Sequence, residues 1–159
     1  MQGIPLNERK RLGALLDDRP QTEVMAMIPQ FSQAETDNFV APPAQIPEAL
    51  GVLMFNMERG VNLPEIQEFL QDCPDIQPFD VILANELDDG CTRSGNKNTA
   101  RELAQAFGLN YAWGLEFIEL VNDENAKGFH GNAVFSRWPI RRAGVIRLPE
   151  QYNWYFDRQ

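Results

Sequence analysis

Two oxygen-bearing side chains stand where apolar runs of this chain give out: Asn56 after residues 52–55, and Glu86 after residues 79–84 and Asn85. An amide left unsatisfied in a protein interior costs about 1–3 kcal/mol. A carboxylate drawn out of water at the end of a buried strand costs more, unless a cation or strong donors meet it. Magnesium is such a cation, being hard, oxygen-seeking and commonly held by one or two carboxylates together with waters and substrate phosphates. Asn56 would then orient Glu86 or donate to a phosphate oxygen. The same two residue types also cap turns and helices, so spacing alone leaves both readings open.

The elements around the pair follow from pattern. Residues 50–55 read as a continuous apolar strand. "NLPEIQEFLQDC" then supplies Asn62 as N-cap, Pro64 in the first turn, and Ile66, Phe69, Leu70 and Cys73 at i, i+3, i+4 and i+7, which predicts a helix with one buried face. A second strand is expected at 79–84. Strand, helix and strand in that order predict two parallel strands, so Asn56 and Glu86 emerge at one edge of the sheet, where open α/β sheets bind ligands. "NKNTARELAQAFG" predicts another helix, with Ala100, Leu103, Ala104 and Phe107 as its stripe and Gly108 as its stop. Alternation then puts Tyr111, Trp113, Leu115 and Phe117 on one face of a strand, and "NAVFSRW" and "AGVIRL" suggest two more strands joined by a turn around Pro139. This order predicts an α/β domain with a mixed sheet and packed helices.

Residues 1–48 differ from the domain expected at 49–159. They hold one helical pattern, 6–16, followed by Pro-, Gln- and Thr-rich sequence without a sustained period. We read them as a partly irregular extension draped on the domain or leading into it, with Pro42, Pro43 and Pro47 marking its end.

A net charge of −9 argues against a broad nucleic-acid footprint, which Lys and Arg must supply by displacing counterions from phosphates. Arg137, Arg141, Arg142 and Arg147 read as a solvated charged face, while Glu86, Asp88 and Asp89 form an acidic cluster. Cys73 and Cys91 belong to no CxxC or Cys/His pattern, so neither a disulfide framework nor a thiolate zinc site is expected; Cys73 reads as a small buried hydrophobe. No run approaches the roughly 18 apolar residues of a membrane span. The amino terminus lacks the apolar stretch of a secretory signal, which points to the cytoplasm unless a leader was lost.

Four segments, "VLMFNMERG", "FDVILANELDDG", "RSGNKNTARELAQAFGLNYAWGLEFIEL" and "GFHGNAVFSRWPI", together resemble the endonuclease/exonuclease/phosphatase superfamily. That resemblance implies a DNase I-like four-layer α/β sandwich, of which this chain would hold an incomplete, N-terminal portion. It implies a divalent-metal-dependent phosphoester hydrolase, a phosphodiesterase, nuclease or phosphatase, using Mg2+ or alternatively Mn2+ on a phosphoester substrate. At matching positions, Asn56 would help set the metal and phosphate site, and Glu86 would be the magnesium ligand, with Asn85 replacing the family's glutamine. Arg93 and Asn98 would contact substrate. His130 and Asn132, from "HGNA", would lie on the phosphate side. Read from the residues alone, Arg93 is equally a solvated loop arginine, Asn98 a helix start, and His130 and Asn132 turn formers beside Gly128 and Gly131.

The family's distal GDxN and SDH segments are not in this sequence, and His130 is its one histidine. The resemblance therefore implies the first part of a longer enzyme, inactive or nearly so as it stands. The rival expectation is a non-catalytic binding module that keeps the fold. An unrelated phosphate-binding α/β domain would call for GxGxxG or GxxxxGK[ST], and neither occurs.

Overall fold

The computed structural model describes residues 1–148. Along the chain run helices α1 (Leu6–Leu15) and α2 (Gln21–Ala26), strands β1 (Ala34–Asp37) and β2 (Val52–Arg59), helix α3 (Leu63–Asp72), strand β3 (Val81–Asp89), helix α4 (Thr99–Phe107), and strands β4 (Asn110–Ile118) and β5 (Phe129–Ser136). The strands form one five-stranded sheet in the order β1-β4-β5-β3-β2. β2 and β3 are parallel, as the strand–helix–strand pattern requires, and the other neighbours are antiparallel. The domain is thus mixed α/β, its mixed sheet flanked by helices.

One face of the sheet carries the core. Met57, Ile82, Ala84, Tyr111, Trp113, Leu115 and Phe135 are buried there with Ala100, Leu103 and Ala104 of α4 and Leu63 and Leu70 of α3. Fully burying a side chain of the Leu or Phe class is worth about 1.5–3 kcal/mol, so this set dominates the fold's stability. Gly108 ends α4 in the left-handed region, at φ 59°. Phe69 lies off the α3 stripe, half exposed, and stacks on Phe55 at 5.9 Å. Asn62 occupies the N-cap of α3, but its side chain makes no capping bond. On the opposite face Val52, Met54, Leu83 and Val134 are exposed, Met54 at 75%.

The first 48 residues contribute more regular structure than their pattern suggests. Leu12, Leu16, Val24, Ile28 and Phe31 join the same core, and β1 pairs antiparallel with β4 as the fifth strand. Arg9 is buried and donates from Nη2 to the Asn125 carbonyl at 2.7 Å, which ties α1 to the loop after β4.

Some expectations require correction. β2 and β3 do not stop at Asn56 and Ala84; they run on to Arg59 and Asp89 through register shifts. Residues 143–148 form no strand, because β5, the strand they would turn back onto, is already paired on both sides, to β3 and β4. Instead Arg147 anchors this segment, donating from Nε to the Phe31 carbonyl at 2.9 Å and to the Leu115 carbonyl from Nη2, with its guanidinium 4.6 Å from the Phe31 ring centre. Cys73 is only half buried, since α3 ends at Asp72 and Cys73 leaves the stripe in extended backbone, whereas Cys91 is fully buried. Arg137 pairs with Asp80 at 3.2 Å, and Arg141 and Arg142 are exposed. No helix among the described residues is long and apolar enough to cross a membrane.

Candidate functional site

Three strand irregularities lie side by side across the sheet. In β2 the partners pass from Asn56↔Asn85 to Arg59↔Leu87, so β2 carries an extra residue. In β3 they pass from Ala84↔Ala133 to Leu87↔Gly131, and in β4 from Leu115↔Gly131 to Phe117↔His130, leaving Glu116 extra. A bulge re-aims side chains and is common beside active sites. Glu58, Arg59 and Glu86 adopt positive φ, at 46°, 66° and 57°. For residues with a Cβ this region costs about 1–2 kcal/mol each, so the surrounding bonds must hold them there.

Those bonds converge on Glu86. Asn56 Nδ2 donates to Glu86 Oε1 at 2.9 Å, while Asn56 Oδ1 accepts from the Glu58 amide at 2.8 Å, which fixes which end of the Asn56 amide faces the carboxylate. The β3 bulge takes the Glu86 N–H out of the ladder, and Asn132 Oδ1 accepts it at 3.1 Å. Asn132 Nδ2 in turn donates to Glu116 Oε2 at 3.3 Å. Among the described residues no donor is bonded to Glu86 Oε2, and the side chain is only half buried, so one carboxylate oxygen is open to solvent.

Arg93 and His130 belong to a different constellation, built on Asp88. The Asp88 side chain is 0% exposed. It accepts from Arg93 Nε at 2.7 Å and Nη2 at 2.9 Å, from Ser94 Oγ at 3.2 Å, and meets His130 Nδ1 at 2.8 Å. Burial on its own pushes the Asp88 carboxyl up; the bonds from His130 and Arg93 outweigh it and hold the carboxyl below its ordinary value. Arg93 also pairs with Glu119, whose other oxygen accepts from Asn125 Nδ2 at 2.6 Å. Phe117 covers the His130 ring, centre to centre 4.3 Å. Asn98 caps α4, its Oδ1 accepting from the Arg101 amide at 2.8 Å, and its Nδ2 donates to Glu35 Oε1 at 2.8 Å.

The structure therefore brings Asn56, Glu86 and Asn132 together, and engages Arg93, His130 and Asn98 elsewhere. Substrate contact through the amide of Asn98 or the guanidinium of Arg93 would compete with the bonds just described, whereas His130 is committed to Asp88 through Nδ1 alone. Two residues of consequence were not singled out from sequence. Asp88 was visible only as one of an acidic cluster. Glu116 stands out of phase with buried Leu115 in β4, which marks it for the open face, but nothing in the pattern signals the bulge that sets it beside Asn132.

Among the described residues there is no group of three or more His, Cys, Asp and Glu side chains that could hold a metal ion. The donor set at the bulges is instead one oriented carboxylate with an open oxygen. That fits a hard cation which keeps most of its waters and takes further oxygens from a phosphate. Asn56, with its Oδ1 turned to the Glu58 amide, suits the orienting role better than direct ligation. Comparison with protein-family models, with curated proteins and with solved structures returned no match to this chain.

Proposed function

We propose that this chain is the cation- and phosphate-binding portion of a metal-dependent phosphoester hydrolase with a DNase I-like architecture. Glu86 would hold Mg2+, or Mn2+ in its place, and Asn56 and Asn132 hold Glu86. The single observation that carries this reading is Glu86 itself: a non-glycine residue kept in the left-handed region at φ 57°, one oxygen bonded to Asn56 and the other facing solvent. Backbone strain that neighbouring side chains stabilise, at a bulge, is a mark of function more than of folding. The exposed apolar face formed by Val52, Met54, Leu83 and Val134 supports the sandwich reading, because a sheet with an apolar surface is normally covered by another layer.

When bound, a divalent cation supplies charge neutralisation on the phosphoryl group and leaving oxygen. What this chain supplies is position. Asn56 holds the carboxylate by Oε1, Asn132 holds its backbone, and the uncommitted oxygen is presented at the sheet surface. Proton transfer to or from a reacting group needs an acid or base within hydrogen-bond reach. His130, the one histidine, is bonded through Nδ1 to Asp88, and no hydrogen bond joins it to Asn56, Glu86 or Asn132. That favours binding without turnover, which is also what a non-catalytic module of the same fold would show.

Calorimetric titration of the chain with manganese chloride tests the reading directly. Saturable binding that Glu86→Gln removes is the expected result; binding of equal strength in Glu86→Gln would overturn it. A phosphodiester assay with magnesium should show little or no hydrolysis, and turnover abolished by Glu86→Gln would sink the assignment to binding alone.

A further inference from the structure

We propose that Glu116 is a positioning residue for Glu86, acting through the amide of Asn132. The inference rests on the reading of Glu86 as the cation ligand. Asn132 can present its side-chain amide either way round, and only one way is useful: Oδ1 must face the Glu86 N–H that the bulge has freed. The reverse orientation would set donor against donor. An ionised carboxylate accepts hydrogen bonds and donates none. Glu116, bonded to Asn132 Nδ2, therefore admits only the useful orientation.

The fold places Glu116 for this task. It is the extra residue of the β4 bulge, one step past the Leu115↔Gly131 pair, and its side chain is exposed on the sheet face that carries Asn56 and Asn132. The relay parallels the arrangement on the other side of Glu86. There the Glu58 amide locks Asn56 so that Nδ2 meets the carboxylate; here Glu116 locks Asn132 so that Oδ1 meets the backbone. Each asparagine has its orientation set by a third group, and between them they fix Glu86 at the carboxylate and at the peptide.

The test compares wild type, Glu116→Ala, Glu116→Gln and Glu86→Gln, with manganese affinity by calorimetry and hydrogen exchange of the Glu86 amide by NMR. Outer partners of a metal ligand commonly carry about 10- to 100-fold of affinity, so Glu116→Ala should weaken manganese binding at least about tenfold. Its Glu86 amide should exchange about tenfold faster, because the acceptor is no longer held in place. Glu116→Gln offers Asn132 a donor as well as an acceptor and so tolerates the reversed amide; both readouts should depart from wild type in it by at least about threefold. Unchanged Glu86 exchange in Glu116→Ala overturns the proposal. So does Glu116→Gln behaving like wild type, which would show that an acceptor-only partner is not what orients Asn132. Failure of the wild-type chain itself to bind manganese overturns the site reading and with it the link to a cation; the exchange comparison distinguishes that failure from a failure of the relay. Because Glu116 is exposed, matched melting temperatures should verify that the variants fold.

Discussion

Asn56 and Glu86, thirty residues apart, meet across β2 and β3 at 2.9 Å, although the strand register pairs Asn56 with Asn85. The bulge, not the ladder, makes the contact. Removing the amide should therefore disturb Glu86 without disturbing the sheet. We expect Asn56→Ala to lower manganese affinity about 10- to 100-fold, while the folding free energy changes by no more than about 1 kcal/mol, since the residue is exposed. Titration calorimetry and chemical denaturation measure the two effects. A large loss of stability with unchanged affinity would make Asn56 a structural cap.

The backbone at position 86 gives a second prediction. Glu86→Ala and Glu86→Gly both remove the carboxylate, so their difference isolates the left-handed conformation at φ 57°. Alanine pays about 1–2 kcal/mol there and glycine almost nothing. Glycine should come out the more stable by about 1 kcal/mol, despite its greater freedom in the unfolded chain. Denaturant melts of the two variants decide it, and alanine proving more stable would contradict the bulge geometry.

The parallel βαβ unit was legible because its signals are local and repeated: an apolar run, an amphipathic helix with Pro64 in its first turn, and a second apolar run. The α4 stripe and the inward face of β4 as far as Leu115 were legible for the same reason; beyond it the extra residue Glu116 shifts the phase, so Ile118 continues the core face and Phe117, expected there, lies against His130. β1 was not, since four residues, Ala34–Asp37, give alternation too little length to register and their place is set by pairing with β4. The 143–148 segment shows the converse: its apolar pattern suits a strand, but no edge of β5 is free to accept it. At the site, residue type at strand ends pointed to Asn56 and Glu86. The roles of Arg93 and His130 depend on Asp88, two residues past Glu86, and whether a carboxylate turns inward beyond a bulge is a property of register that one sequence does not display.

The Asp88 cluster predicts a pH dependence. With the folded pKa held below the ordinary value of 3.8, Asp88 contributes stability that is complete above that value and is lost as pH falls through the folded pKa. Asp88→Asn should cost about 3–5 kcal/mol near neutrality, because it leaves Arg93 partly uncompensated in a buried site. The gap between wild type and variant should then narrow below roughly pH 4. Denaturant midpoints measured across that range would show it; a gap that stays constant would mean Asp88 is not held ionised by its partners.

His130 separates the two constellations most sharply. Its ring is packed under Phe117 and bonded to Asp88, and it makes no hydrogen bond to Asn56, Glu86 or Asn132. Replacing it with asparagine should remove that bond and some packing, lowering stability by about 1–3 kcal/mol. Manganese affinity should stay within about twofold of wild type, as for sites that share no partner. The reverse pattern, stability kept and affinity lost as in Glu86→Gln, would place the imidazole in the cation site. It would also restore an acid–base group to the chemistry. The first outcome is the expected one, because the imidazole is bonded through Nδ1 to the fully buried Asp88 carboxylate and no hydrogen bond joins it to Asn56, Glu86 or Asn132.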